Sequence, residues 1–254
     1  MTTLTLLTKA SHPSQLKQID NSLKAAFEDL DVKVEVLGNS VNGWVQVSVS
    51  GEDEAIAKSY ITKEIGVCPT SIDNVKEIPE LKGYIIKLGK NQEALSVDVG
   101  VFEPKIILAT VPLAILQTEL VNGGKIALKK IAELYGFSDG LPVNTKITDL
   151  NGAEGNMQAE LSSAQIEKFK SWRESFLDRL IILGSTLGDV EKTLERTRLN
   201  RDVIGVESLG LFEHVLTCKL GTDATGLIPK IGRYMRNARF VVFNPKKIIS
   251  FLGE

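Results

Sequence analysis

The residues best suited to chemistry lie toward the carboxyl end. Between Lys219 and Lys247 stand seven basic side chains (Lys219, Lys230, Arg233, Arg236, Arg239, Lys246 and Lys247) and a single acid, Asp223. A guanidinium offers a planar fork of donors that fits carboxylate or phosphate oxygens, whereas an ammonium acts more as a point charge. The cluster is therefore chemistry for holding phosphates. If a helix runs past Gly232, then Lys230, Arg233 and Arg236 follow at i, i+3 along one slowly drifting face. Tyr234 and Phe240 lie inside the patch. The competing reading is a solvated face with a few ion pairs. Lys246-Lys247 alone would signify nothing, since edge strands carry lysine to discourage pairing. A second group, Lys82, Lys87, Lys90 and Lys105 with Tyr84 and Phe102, would make a base-stacking platform on a basic surface. Its rival is a Tyr84 packed inside the fold.

Catalytic chemistry has little to stand on. The two histidines, His12 and His214, fall in different segments. His12 sits in a polar lead-in and His214 on a strand. No Cys/His spacing suits a metal, and neither a nucleophile elbow nor a phosphate-binding Walker loop occurs. Glu52-Asp53-Glu54 reads as negative charge at a helix start, and Glu28-Asp29 with Asp31 as a helix-exit turn. Cys68 and Cys218 are too far apart in sequence for a metal pair, and Cys218 reads as a buried small apolar residue. No catalytic residue, metal or cofactor is assigned.

Charge is graded along the chain. Its 254 residues carry a net charge of −2. Residues 1–81 hold 7 basic and 12 acidic side chains, residues 82–165 hold 8 and 9, and residues 166–254 hold 15 and 11. All eight arginines fall in the last third. Such asymmetry points to an anionic partner for one end. The acidic first third suits a basic protein partner instead. Apolar residues at 43% and charged residues at 24% are ordinary for a folded soluble chain. No apolar run reaches the ~20 residues that span a bilayer, and no signal peptide is evident. A reduced, cytoplasmic protein without a membrane role is expected.

Three segments must position these groups. In residues 1–80, apolar periodicity gives a strand near 2–9 and a helix carrying Leu16, Ile19, Leu23 and Phe27. Ser11 or Ser14 would cap that helix. A hairpin follows with Val32, Val34 and Val36 opposite Val45, Val47 and Val49. A second helix runs from about Glu52 to Ile65, and a closing strand falls near Ser71–Ile78. This βαββαβ order is ferredoxin-like. A linker helix, Ser163–Phe176, leads into the last segment, residues 166–254, which carries the rest of that helix and a second, basic ferredoxin-like unit whose last strand, Ala238–Phe243, stops at Pro245. Shared landmarks (Gly51 and Gly221, Ile65-Gly66 and Ile231-Gly232) suggest a duplicated unit, with convergent turn chemistry as the alternative. Residues 81–165 read as five short strands with a helix between the third and fourth. That is the layout of an OB barrel, with turns at Gly89-Lys90-Asn91-Gln92 and Asn151-Gly152-Ala153-Glu154-Gly155. The fold class is α+β.

Two resemblances attach to these residues. Lys82-Gly83-Tyr84-Ile85-Ile86 with Ser96-Val97-Asp98-Val99-Gly100-Val101 resembles the first two strands of S1-type OB domains. The glycine, histidine and serine that usually follow the third strand of such domains are missing. The strings Glu207-Ser208-Leu209-Gly210-Leu211-Phe212-Glu213-His214, Cys218-Lys219-Leu220-Gly221-Thr222-Asp223-Ala224 and Gly226-Leu227-Ile228-Pro229-Lys230-Ile231-Gly232 are similar to the archaeal family DUF2110. That resemblance extends over nearly the whole chain. It implies an archaeal cytoplasmic protein and supplies no catalytic residue. Charge and fold together lead to a non-catalytic binding protein for RNA or a ribonucleoprotein such as the ribosome. The alternatives are a regulatory protein for a small ligand or phosphometabolite, and an enzyme that clamps a phosphorylated substrate with Arg233, Arg236 and Arg239.

Overall fold

Valines alternating with polar residues build the first sheet. In the computed structural model, which describes residues 1–76, 78, 80–90, 92–151 and 155–253, β1 (Thr2–Lys9) and β2 (Val32–Asn39) flank β3 (Trp44–Gly51), each antiparallel to it. Val34 pairs with Val49 and Val36 with Val47. Helices α1 (Pro13–Ala26) and α2 (Glu54–Glu64) bury Ile19, Leu23, Ala57 and Ile61. The cap of α1 is His12 rather than a serine. Gln15 Oε1 accepts from the backbone N–H groups of Ser11 and His12, at 2.7 and 3.1 Å, and closes a capping box.

The expected closing strand at Ser71–Ile78 takes another course. Leu6 makes a single antiparallel bridge to Val67. The two-residue β4 (Thr70–Ser71) then pairs in parallel with β6 (Ala94–Glu103), and the helical turn α3 (Ile72–Val75) follows. Asn74 Nδ2 donates to the Pro69 carbonyl at 2.6 Å, and Asp73 occupies the first turn, where negative charge is favourable. Local helix signals thus outweigh the apolar pattern. These elements belong to the first of two bodies, Met1–Lys76 with Gly100–Ile106; the second is Glu77–Val99 with Ile107–Glu254.

The second body, which takes in β6 as far as Val99, holds most of a closed five-stranded barrel. Its strands are β5 (Glu80–Ile86), β6, β7 (Ile107–Pro112), β8 (Pro142–Asp149) and β9 (Met157–Leu161), in ring order β5-β6-β7-β9-β8. β7 and β9 run parallel, while β5–β6, β5–β8 and β8–β9 are antiparallel. Helices α4 (Leu113–Val121) and α5 (Leu128–Tyr135) fill the connection from third to fourth strand. This connectivity fits the OB layout. Gly83 lets β5 approach β6: a Cβ there would lie 2.6 Å from the Asp98 carbonyl oxygen and 2.7 Å from Val97 Cγ1. Asn91 and residues Gly152 to Glu154 of the two expected turns lie outside the described residues.

Helix α6 (Ser163–Glu174), capped by Ser162 Oγ on the Gln165 N–H, leads into the terminal sheet. There β10 (Arg179–Leu183), β11 (Val203–Ser208), β12 (Glu213–Cys218) and β13 (Arg239–Phe243) are ordered β11-β12-β10-β13 and antiparallel throughout. Helices α7 (Leu187–Thr197) and α8 (Ala224–Gly232) connect them and bury Val190, Leu194, Leu227 and Ile231 against Leu180, Ile182 and Leu216. Every residue of β10 is buried, as for a central strand covered on both faces. A final helix, α9 (Pro245–Leu252), follows β13. Pro245 ends the strand as expected but also opens this helix, because Asn244 Oδ1 caps the Lys247 N–H at 3.0 Å and proline suits the first helical position. Barrel and terminal sheet share an aromatic core. Phe243, fully buried, lies 5.2 Å from Trp172 and 6.2 Å from Tyr135 between ring centroids.

Candidate nucleic-acid interface

Helix α8 ends at Gly232, so the expected single helical face stops there. Arg233 becomes the C-cap and its Nε donates to the Lys230 carbonyl at 3.3 Å, a cation placed on a helix C-terminus. Met235, 6% exposed, inserts into the core and leaves its neighbours Tyr234 and Arg236 at the surface. The Arg233 guanidinium lies 5.0 Å from the centre of the Tyr234 ring, and that of Arg196, from the last turn of α7, lies 4.6 Å from it. Two guanidinium groups therefore converge on one half-exposed aromatic ring, an arrangement favoured by the ring quadrupole. Lys230, Arg233 and Arg236 are exposed, and among the described residues none of them, nor Arg196, forms an ion pair with a carboxylate.

Arg239 does something else. Its guanidinium donates to the Asp139 carbonyl at 2.8 Å and to Ser138 Oγ at 3.2 Å. Asp139 Oδ1 accepts the Leu88 N–H at 2.8 Å. The arginine at the start of β13 is thus tied to the barrel turn that holds Lys87 and Lys90. Lys219 is exposed beyond β12, and Lys246 and Lys247 are exposed on the first turn of α9.

The barrel lysines and aromatics separate. Lys87 and Lys90 are exposed. Phe102, half-buried, and Lys105, exposed, belong to the first body. Lys82 is largely withdrawn from solvent, and its Nζ donates to the Leu209 carbonyl. Burial lowers its pKa, against an opposing pull from Glu213. Tyr84 is 1% exposed, with its hydroxyl 3.2 Å from Glu213 Oε2, and so offers no ring for stacking. Burial drives the Glu213 carboxyl up to about 7 despite the Tyr84 hydrogen bond and the nearby Lys82. Gly210 makes room for that carboxyl: a Cβ there would stand 2.2 Å from Glu213 Oε2. His214 is buried, its Nδ1 3.0 Å from Ser208 Oγ, and desolvation lowers its pKa. Cys218 is buried, which pushes its thiol up to about 11.

One barrel face carries a groove of about 410 Å³, lined by Lys87, Ser96, Leu108, Thr110, Asn156 and Gln158 among others. These residues come from β6, β7, the start of β9 and the turn after β5. In OB folds this is the side that receives oligonucleotides and oligosaccharides. Its described lining contains no aromatic ring, so hydrogen bonding rather than stacking is the chemistry on offer. Arg196 escaped the sequence reading because its partner Tyr234 lies in another element; its signal was its place in the last turn of an amphipathic helix.

No group of His, Cys, Asp and Glu among the described residues is placed to hold a metal ion, and no helix among them is long and apolar enough to cross a membrane. No curated protein matches the chain. The sequence does match the DUF2110 N-terminal domain over residues 5–71, the DUF2110 central domain over 75–173 and the DUF2110 C-terminal domain over 177–243. With barrel, terminal sheet and these three matches together, the chain belongs to the DUF2110 family, whose function is unknown.

Proposed function

We propose that this protein binds RNA, without catalysis, through the second body. The observation that carries this reading is the Arg196–Tyr234–Arg233 cluster, extended by Lys230 and Arg236 and unneutralised by any described carboxylate. These four cations would contact phosphates, and the polar groove on β6 and β7 would take bases or riboses. The bonds from Arg239 to Asp139 and from Leu88 to Asp139 support a common platform, since they tie the strand after Arg236 to the turn beside that groove. We also infer that the two flanking sheets are ferredoxin-like units. The order β11-β12-β10-β13 supports this for the terminal one. The order β1-β3-β2 with the bridge at Val67 supports a reduced version for the other.

The test is fluorescence anisotropy with mixed-sequence single-stranded RNA across a salt series. Each neutralised phosphate of a single strand contributes about −0.7 to the slope of log K against log salt. Four contacts therefore lose about fifty-fold in affinity between about 50 and 200 mM salt. Arg233→Ala with Arg236→Ala should flatten the slope by about 1.4. Arg239 is left intact because it is engaged with Ser138 and Asp139. No binding at low salt, or an unchanged slope in the double variant, refutes the reading.

A further inference from the structure

A cavity of about 160 Å³ lies between the barrel and the terminal sheet, within the second body. Its polar wall is built by Lys82 of β5, Asn144 of β8, and Gln165 and Lys168 of α6, with Leu209 after β11. Leu141, Pro142, Phe169 and Trp172 form the apolar wall. The donors are in excess. Lys82 Nζ spends one N–H on the Leu209 carbonyl, and no described carboxylate lies within ion-pair distance of it. Gln165 Oε1 is held by the Asn144 N–H at 3.1 Å, which fixes the amide and leaves its NH₂ as a donor. Lys168 is paired with Glu207 at 2.7 Å, yet the Lys82 and Lys168 ammoniums still repel each other. Glu213, the remaining acid near Lys82, is engaged with Tyr84.

Two like charges facing one cavity, with amide donors beside them and an apolar wall opposite, suit an oxyanion with a short hydrocarbon body. We infer that this cavity binds a small organic anion whose carboxylate or phosphate head sits at Lys82, Lys168 and Gln165 and whose apolar part lies on Phe169 and Trp172. Such a head group would relieve the repulsion of the two ammoniums and replace the solvation that Lys82 has lost. The lining comes from the barrel, the linker helix and the terminal sheet, so the ligand would fasten all three. This site stands independently of RNA binding, because neither Arg233 nor Arg236 contributes to it.

The test is thermal unfolding and tryptophan fluorescence of the full chain titrated with sodium benzoate and, separately, sodium phosphate, with sodium chloride matched for ionic strength. A saturable rise in Tm is expected for at least one probe, on the order of 5–10 °C at a hundred times Kd. Benzoate should also change the emission of Trp172. Lys82→Met and Lys168→Met should each abolish the saturable part while remaining folded, since each exchanges an ammonium for an apolar chain of similar length. An adventitious ion effect only, with the same rise in chloride or in both variants, overturns the proposal. So does the absence of a saturable shift with either probe.

Discussion

The buried carboxyl of Glu213 should make the second body less stable as pH rises through neutrality. Its pKa moves from the ordinary 4.5 to about 7, chiefly through burial. The folded state therefore holds a proton that the unfolded state has already released between those values. Native protein binds more protons across that interval, so unfolding free energy falls with rising pH. At about 1.4 kcal/mol per tenfold change in proton affinity, the loss between about pH 5 and pH 8 is on the order of 2–3 kcal/mol. His214, held neutral by burial, acts in the opposite direction below its ordinary 6.5. Glu119, raised to about 7 by desolvation, acts in the same direction as Glu213. Glu54, lowered to about 2 by its bond to Lys58, acts below 4.5 and so outside the window. The Glu213→Gln variant isolates the effect, since it keeps an acceptor for Tyr84 and cannot ionise. Urea unfolding of both proteins at several pH values, followed by circular dichroism and tryptophan emission, measures the difference. The variant should gain on the natural protein as pH rises, by about 2–3 kcal/mol near pH 8. Curves that stay parallel from about pH 5 to pH 8 would show that the Glu213 carboxyl is not shielded from water, and the argument from burial would fail.

Two further perturbations probe the frame that holds the candidate sites. Phe243→Ala removes a fully buried ring from the cluster with Tyr135, Phe169 and Trp172. It should cost about 3–5 kcal/mol, and hydrogen exchange should show barrel and terminal sheet losing protection together. Gly83→Ala drives a methyl to 2.6 Å from the Asp98 carbonyl oxygen and 2.7 Å from Val97 Cγ1. Both are fixed parts of β6, so thermal unfolding should show a loss of about 1–3 kcal/mol, whereas Gly188→Ala, with no heavy atom near its Cβ, is a neutral control for steric clash.

Local periodicity carried most of the architecture. Val32, Val34 and Val36 against Val45, Val47 and Val49 gave the hairpin, and five short strands with a helical connection after the third gave the barrel. Each strand of these patterns is signalled by a few neighbouring residues. Two expectations changed because one residue can be read two ways. Pro245 reads as a stop, yet Asn244 beside it is a helix cap, and a proline that ends a strand can open a helix. Ile72 fits a strand, but Asp73 and Asn74 form a helical turn with a side-chain bond back to Pro69.

The site was legible as charge and illegible as contact. Arginine segregation identifies the basic segment, but it cannot show that Arg239 is spent on Ser138 and Asp139, a hundred residues earlier. Nor can it show that Arg196, from a different helix, shares the Tyr234 ring with Arg233. Tyr84 and Lys82 are spaced two apart on β5, the spacing of a strand with one wet face. That face is instead met by Leu209, in the turn after β11, and Glu213 of β12, more than a hundred residues along the chain. Contacts that distant leave no periodic trace in β5. What a basic strand residue leaves in sequence is the same whether its ammonium reaches open water or the wall of a cleft; only the covering element decides, and here that element draws Lys82 from an expected outer platform into the lining of the cavity shared with helix α6.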